Sequence, residues 1–235
     1  MIWDALRRHQ VSMITIRHAR TVDIFEAAGR RIASAKAQPL DTCTKLACKV
    51  LEPYAREASD GPPTQFLIEQ QPMRLAARGG SGGSRMKSLS LGLYGFFTAF
   101  PSPVSFYHAK NKQQVGRLIP DDLPSAVRER LSEWQDCKVY ADRKRLGVEC
   151  MRGLIECGWM KGNEESAECL SSRKADDVSD AIAQGCHWLL CRKRGAPPRV
   201  VSIDVGMRTL AIAILEREED QRECGSDSTQ VEVVE

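Results

Sequence analysis

Four carboxylates stand where side chains can do chemistry. Asp204 ends the apolar run RVVSID, and Gly206 two residues later allows a sharp turn. Glu69 leaves a second apolar run, FLIE. Asp177 and Asp180, in KADDVSDAIAQG, are three apart and share one face of a helix. A carboxylate at the mouth of a strand is costly to bury unless a cation meets it. Oxygen donors without cysteine or histidine suit a hard divalent ion such as Mg2+. Two such ions, about 4 Å apart, can activate a water and stabilise the leaving oxygen of a phosphodiester. Each acid alone also has an ordinary reading, as a helix cap, an arginine partner or a strand end. The four together are harder to dismiss.

Charge around these acids is unevenly spread. The formal net charge of +3 selects no partner, but RLAARGGSGGSRMK (74–87), KVYADRKR (138–145) and CRKRGAPPR (191–199) are cationic clusters. Such clusters suit a phosphate backbone, with a solvated basic face as the alternative. Arg74, Arg78, Arg85, Lys87, Arg143, Lys144 and Arg145 are the candidate DNA contacts.

Other classes fit less well. No apolar run approaches the roughly 18–20 residues that span a bilayer, so no membrane role is expected. Nine cysteines, with no Cys-x-x-Cys and no zinc-finger spacing, read as reduced core thiols in an intracellular, reducing compartment. RGGSGGSR, the Gly-rich run at 78–85, lacks the Walker lysine–Ser/Thr ending, so no small-molecule cofactor is expected. The first 38 residues are Arg-rich, but Asp4, Asp23 and Glu26 weaken a transit-peptide reading.

The elements that must hold the acids follow from periodicity, and strands alternating with helices predict an α/β fold. Residues 1–18 read as extended. Residues 20–37 read as a helix with Val22, Phe25, Ala28 and Ile32 on one side, ended by Pro39. Asp41 is a candidate N-cap for a second helix through Leu46, Val50, Leu51 and Tyr54. TQFLIEQQP (64–72) reads as a buried strand, 78–85 as a flexible loop, 86–100 as an apolar helix and PVSFYHA (103–109) as a strand. Within 110–137, taken as an insertion, 121–134 is an amphipathic helix. Helices over 142–159 and 174–192 and the strand pair of 199–216 complete one domain spanning 1–235.

Four of these segments carry a resemblance. SIDVGMRTLAIAIL, LIEQQPMR, YADRKRLGVECM and RKADDVSDAIAQGCHWL resemble the Holliday junction resolvases of the fungal mitochondrial and poxvirus group and, more distantly, bacterial RuvC. The resemblance implies a ribonuclease H-like mixed five-stranded sheet flanked by helices. It places Asp204, Glu69, Asp177 and Asp180 on the family's metal-binding acids, with two Mg2+ ions for which Mn2+ can substitute. Lys144 or Arg145 falls on its catalytic lysine, and Thr209 stands where the family commonly has Asn. Asp176 is the competing choice within the acid pair.

In the family the Asp-x-Gly strand comes first; in this chain it comes last, which implies a circular permutation. TQVEVVE joined to MIWDALRRH would then form the third strand, Met1 and Glu235 would lie close together, and 217–229 would be a solvated loop. The implied activity is paired cleavage of four-way DNA junctions in recombination and repair, with branched DNA as partner. Two symmetric cuts imply a homodimer. Helix 86–100 is either its interface or core, to be told apart by exposure of Tyr94, Phe96 and Phe97. The compartment is mitochondrial or viral/nuclear. Rival readings are another ribonuclease H-like nuclease acting on RNA–DNA hybrids, and a catalytically silent junction-binding protein. His187 is read as a satisfied buried histidine rather than a ligand, and Trp159 and Trp188 as core.

Overall fold

The computed structural model describes residues 14–70, 82–119, 123–192 and 196–217. β1 (Ile14–Asp23) is followed by a 3-10 turn at Ala35–Ala37, α1 (Leu40–Asp60) and β2 (Thr64–Gln70). α2 (Gly82–Phe97) and β3 (Val104–His108) lead through a 3-10 turn at Ala109–Gln114 into the short α3 (Val115–Leu118). Then come α4 (Ser125–Asp136), α5 (Tyr140–Glu156), the two-residue β4 (Met160–Lys161), α6 (Glu164–Ser171) and α7 (Ala175–Cys191). The hairpin β5 (Arg199–Val205) and β6 (Thr209–Arg217) closes the described chain.

The six strands form one mixed sheet in the order β3-β2-β5-β6-β1-β4. β3, β2 and β5 run parallel, β5–β6–β1 form an antiparallel meander, and β4 adds to β1 in parallel. Because side chains alternate across a strand, the central strands feed two cores. Leu67, Val200, Ala211, Ala213 and Leu215 face the core built with α4, α5 and α7. Phe66, Ile68, Val201, Ile203, Ile212 and Ile214 face the core built with α1 and α2. These strands are buried on both faces, which is why they read as unbroken apolar runs.

α7 sits close to the sheet because the contact residues are small. A Cβ on Gly185 would lie 2.6 Å from Leu215 Cδ1 and 3.3 Å from Val200 Cγ1. Gln184 fixes the same helix by donating from Nε2 to the Leu67 carbonyl of β2 at 3.3 Å. Asp180, one turn earlier, is therefore held at a set height over the C-terminal ends of β2 and β5.

Several expectations are corrected. Residues 20–37 are not a helix: β1 runs through Asp23, whose ladder partner is Thr209 of β6. Asp23 then accepts at Oδ1 from the backbone of Phe25 and Glu26 and pairs with Arg208, fixing a turn that includes Gly29 at φ 69°. Long-range pairing with β6 outweighs the local helical spacing. Asp41 does not cap α1; Pro39 holds the N-cap place, and Asp41 lies in the first turn opposite Lys45 at 3.8 Å. Helix α2 spans Gly82–Phe97 rather than 86–100, so Gly82–Arg85 are helical and not loop. The sheet has six strands, not five, through the addition of β4. Helix α5 ends at Glu156, leaving Trp159 beyond Gly158, which adopts φ 77°.

Within 110–137, Val127, Leu131 and Trp134 of α4 are buried with residues of α5 and α7. On α2, Phe97 stacks on Phe66, Tyr94 on Phe106, and Phe96 packs edge-on against Phe97 and Phe100. Phe97 is fully buried, Tyr94 and Phe96 are half-buried, and Leu91 on the same helix is 51% exposed. No described helix is long and apolar enough to cross a membrane. Eight cysteines among the described residues are free thiols. Met1, Glu235, the expected third-strand segments and residues 218–229 lie outside the described residues, as do Arg74 and Arg78.

Candidate metal centre

Strand alternation aims two of the acids. Glu69 lies two residues past Leu67 on β2, and Asp204 two past Ser202 on β5, so both face α7 at neighbouring strand ends. Asp180 descends from α7 into the same space. Glu69, Asp180 and Asp204 each offer an oxygen within 4.8 Å of the others.

A residue that sequence reasoning missed completes the cluster. Lys112, on the 3-10 turn after β3, donates from Nζ to Glu69 Oε2 at 2.7 Å and meets Asp180 Oδ2 at 2.9 Å. Its side chain is only 7% exposed. The turn is held by Gln113 Nε2 donating to the Trp134 carbonyl at 2.7 Å and by the buried Val115.

Burial sets the electrostatics. It pushes Asp204 well above the usual carboxylate range, and the negative field of Glu69 adds to the rise. Burial also raises Asp180, partly offset by Lys112. Burial alone would lower the Lys112 ammonium; Asp180, Glu69 and Asp204 override it and hold the ammonium above its ordinary value. Three carboxylates thus face one ammonium, a site short of positive charge. Its all-oxygen donor set, contributed by three separate elements, fits a hard divalent cation.

Asp177 is not brought into this cluster. It lies 3.4 Å from Lys144 and 3.3 Å from Lys174, at the rim. Asp176 also pairs with Lys144, and although burial tends to raise its carboxyl, the ammonium holds it below the ordinary value. The phase of α5 separates Lys144 from Arg145: Lys144 turns toward the acids, whereas Arg145 is exposed and tied to Glu149 at 2.7 Å. The exposed Tyr140 ring lies 5.5 Å from both Arg143 and Lys144. Arg85 is occupied with the carbonyls of Lys36 and Gln38, and Lys87 is exposed on α2.

His187 stands away from the acids, edge-on to Tyr107 with ring centroids 5.7 Å apart. Burial lowers its pKa; its Nε2 meets Cys191 Sγ at 3.8 Å while its Nδ1 is buried without a hydrogen-bond partner, so the histidine expected to be satisfied is satisfied at one nitrogen. Trp159 and Trp188 pack partly buried against the core, as expected. Lys112 was legible only indirectly. β3 is parallel to β2, so the segment leaving β3 must emerge beside Glu69 at the same sheet edge.

No family model, curated protein or solved structure matches this chain. What stands is an α/β protein with a mixed six-stranded sheet and a buried acidic cluster able to bind a metal ion.

Proposed function

We propose that the chain is a metal-dependent endonuclease of ribonuclease H-like architecture, acting on four-way DNA junctions. The observation that carries the reading is the convergence of Glu69, Asp180 and Asp204 from β2, α7 and β5 to within 4.8 Å. The strand order supports it. Taken from β5, the chain makes an antiparallel meander β5–β6–β1, then the parallel β2 and β3 on the other flank of β5. This order is compatible with a permuted ribonuclease H-like sheet whose third strand is β1, residues 14–23, rather than the expected TQVEVVE–MIWDALRRH segment, which lies outside the described residues.

In this reading the three carboxylates hold a divalent cation, Mg2+ or Mn2+, at the ends of the central strands. Such an ion supplies a more acidic water and neutralises charge on a phosphate. The phosphorus–3′-oxygen bond breaks as the water oxygen bonds to phosphorus, leaving a 5′-phosphate and a 3′-hydroxyl. Lys144, at the rim beside Asp176 and Asp177, faces the approach to the site and stabilises phosphate charge. Arg143 and Arg145 of the same helix, with Lys87 of α2, contact DNA backbone, which positions the duplex arms without reading sequence. A two-fold dimer makes the paired cuts.

The test is a labelled synthetic junction incubated with Mg2+, beside linear duplex and an RNA–DNA hybrid, with Asp204→Asn in parallel. Paired symmetric nicks on the junction alone, lost in the variant, are expected. Cleavage confined to the hybrid would replace the substrate assignment. Tight junction binding without cutting by either protein would replace the enzyme by a binder.

A further inference from the structure

We infer that Lys112 permanently fills one of the two cation positions of the acidic cluster, so that the site takes a single divalent ion. This deepens the metal-dependent reading and rests on it. Lys112 Nζ already lies at 2.7 Å from Glu69 and 2.9 Å from Asp180, the contacts a bridging cation would make. It is also built in rather than draped over. The residue is 6% exposed, and its turn is tied to α4 through Gln113 and continues directly into α3.

Charge points the same way. With all three acids ionised, as ligation of a metal requires, Glu69, Asp180 and Asp204 bring three negative charges against one positive on Lys112, leaving two, which one divalent ion neutralises. Asp177 and Asp176, the acids that could hold a second ion, are turned to Lys144, and Asp177 also to Lys174. A second ion beside the retained ammonium would face like charge across a few ångströms in a largely buried site, where such repulsion is only weakly screened.

The experiment counts Mn2+ bound at equilibrium, by dialysis with spectroscopic detection of the free ion, to the full chain without DNA. Wild type is expected to bind one ion, and Lys112→Arg one. Lys112→Gln is expected to bind two, or one at least about 10-fold more tightly, because a cation competing for the same oxygens has gone. Two ions bound by wild type would overturn the inference while leaving the nuclease reading intact. An unchanged count and affinity in a folded Lys112→Gln would overturn it too. Two ions on wild type overturn the inference whether or not that variant folds; if it does not fold, Lys112→Met is counted in its place with the same outcomes. No ion bound by wild type would remove the metal-dependent reading itself, and the inference with it.

Discussion

Removing the Lys112 ammonium leaves Glu69 and Asp180 facing each other in a space from which water is largely excluded. The perturbation is Lys112→Met, which keeps most of the stem's volume. Each ion pair, at 2.7 and 2.9 Å, represents a gross attraction of roughly 6 kcal/mol at an effective dielectric near 20. Most of that is offset by the cost of desolvating the charges. What the deletion reads is the uncompensated carboxylates left behind, about 3–5 kcal/mol. For a chain of 235 residues that corresponds to a fall in Tm of roughly 6–20 °C. The assay is thermal and urea unfolding by circular dichroism with a chelator present, near neutral pH. Adding Glu69→Gln to the variant should recover part of the loss, since it removes one of the stranded charges. A loss below about 1 kcal/mol, or no recovery in the double variant, would refute the account of Lys112 as the internal counter-charge.

Three further outcomes are expected. Asp204 and Asp180 are held above their ordinary value of 3.8, first by burial; a raised acid contributes stability below its unfolded pKa and loses it as pH rises through the folded one. Metal-free protein should therefore gain stability as pH falls from neutral toward about 4. Asp204→Asn should flatten that slope in unfolding curves taken across the range. Asp180→Asn should weaken Mn2+ binding by at least about 10-fold, whereas Asp177→Asn, removing a partner of Lys144 and Lys174, should change it less; calorimetric titration separates the two. Gly185→Val should cost about 1–3 kcal/mol by pushing α7 off β5 and β6 and, because Asp180 rides on α7, should also weaken Mn2+ binding; urea unfolding and dialysis read the two effects.

The parts of this protein legible in its sequence are those whose surroundings match their local pattern. β5 and β6 are buried on both faces and read as apolar runs; α7 carries Val178, Ala181, Ile182, Gly185 and Leu189 in register with its buried face. Residues 20–37 misled because Val22, Phe25 and Ile32 mimic a helical stripe, while what decides their structure is a strand far away in sequence. α6, whose Asn163–Ser166 capping box is plain in hindsight, was hidden by its short length. Glu69, Asp180 and Asp204 could be picked from sequence because acids leaving apolar elements stand out. Lys112 could not, since KNKQQ has no apolar periodicity and its position depends on the parallel pairing of β3 with β2. The choice between Lys144 and Arg145 turned on about 100° of helix phase, which spacing alone leaves open.

The ladder between β1 and β6 has a consequence for how the chain is made. Arg17 and Glu216, which meet across it, are separated by 199 positions. At ordinary rates of synthesis, β1 leaves the ribosome roughly 10–40 s before β6 exists. In that interval its edge, carrying Ile14, Ile16 and Ala19, has no long strand of its own chain to pair with. The nascent protein must keep an apolar strand soluble until β6 has been made. Chaperone dependence and yield during expression should therefore respond more sharply to polar substitutions on β1 than the stability of the finished molecule does.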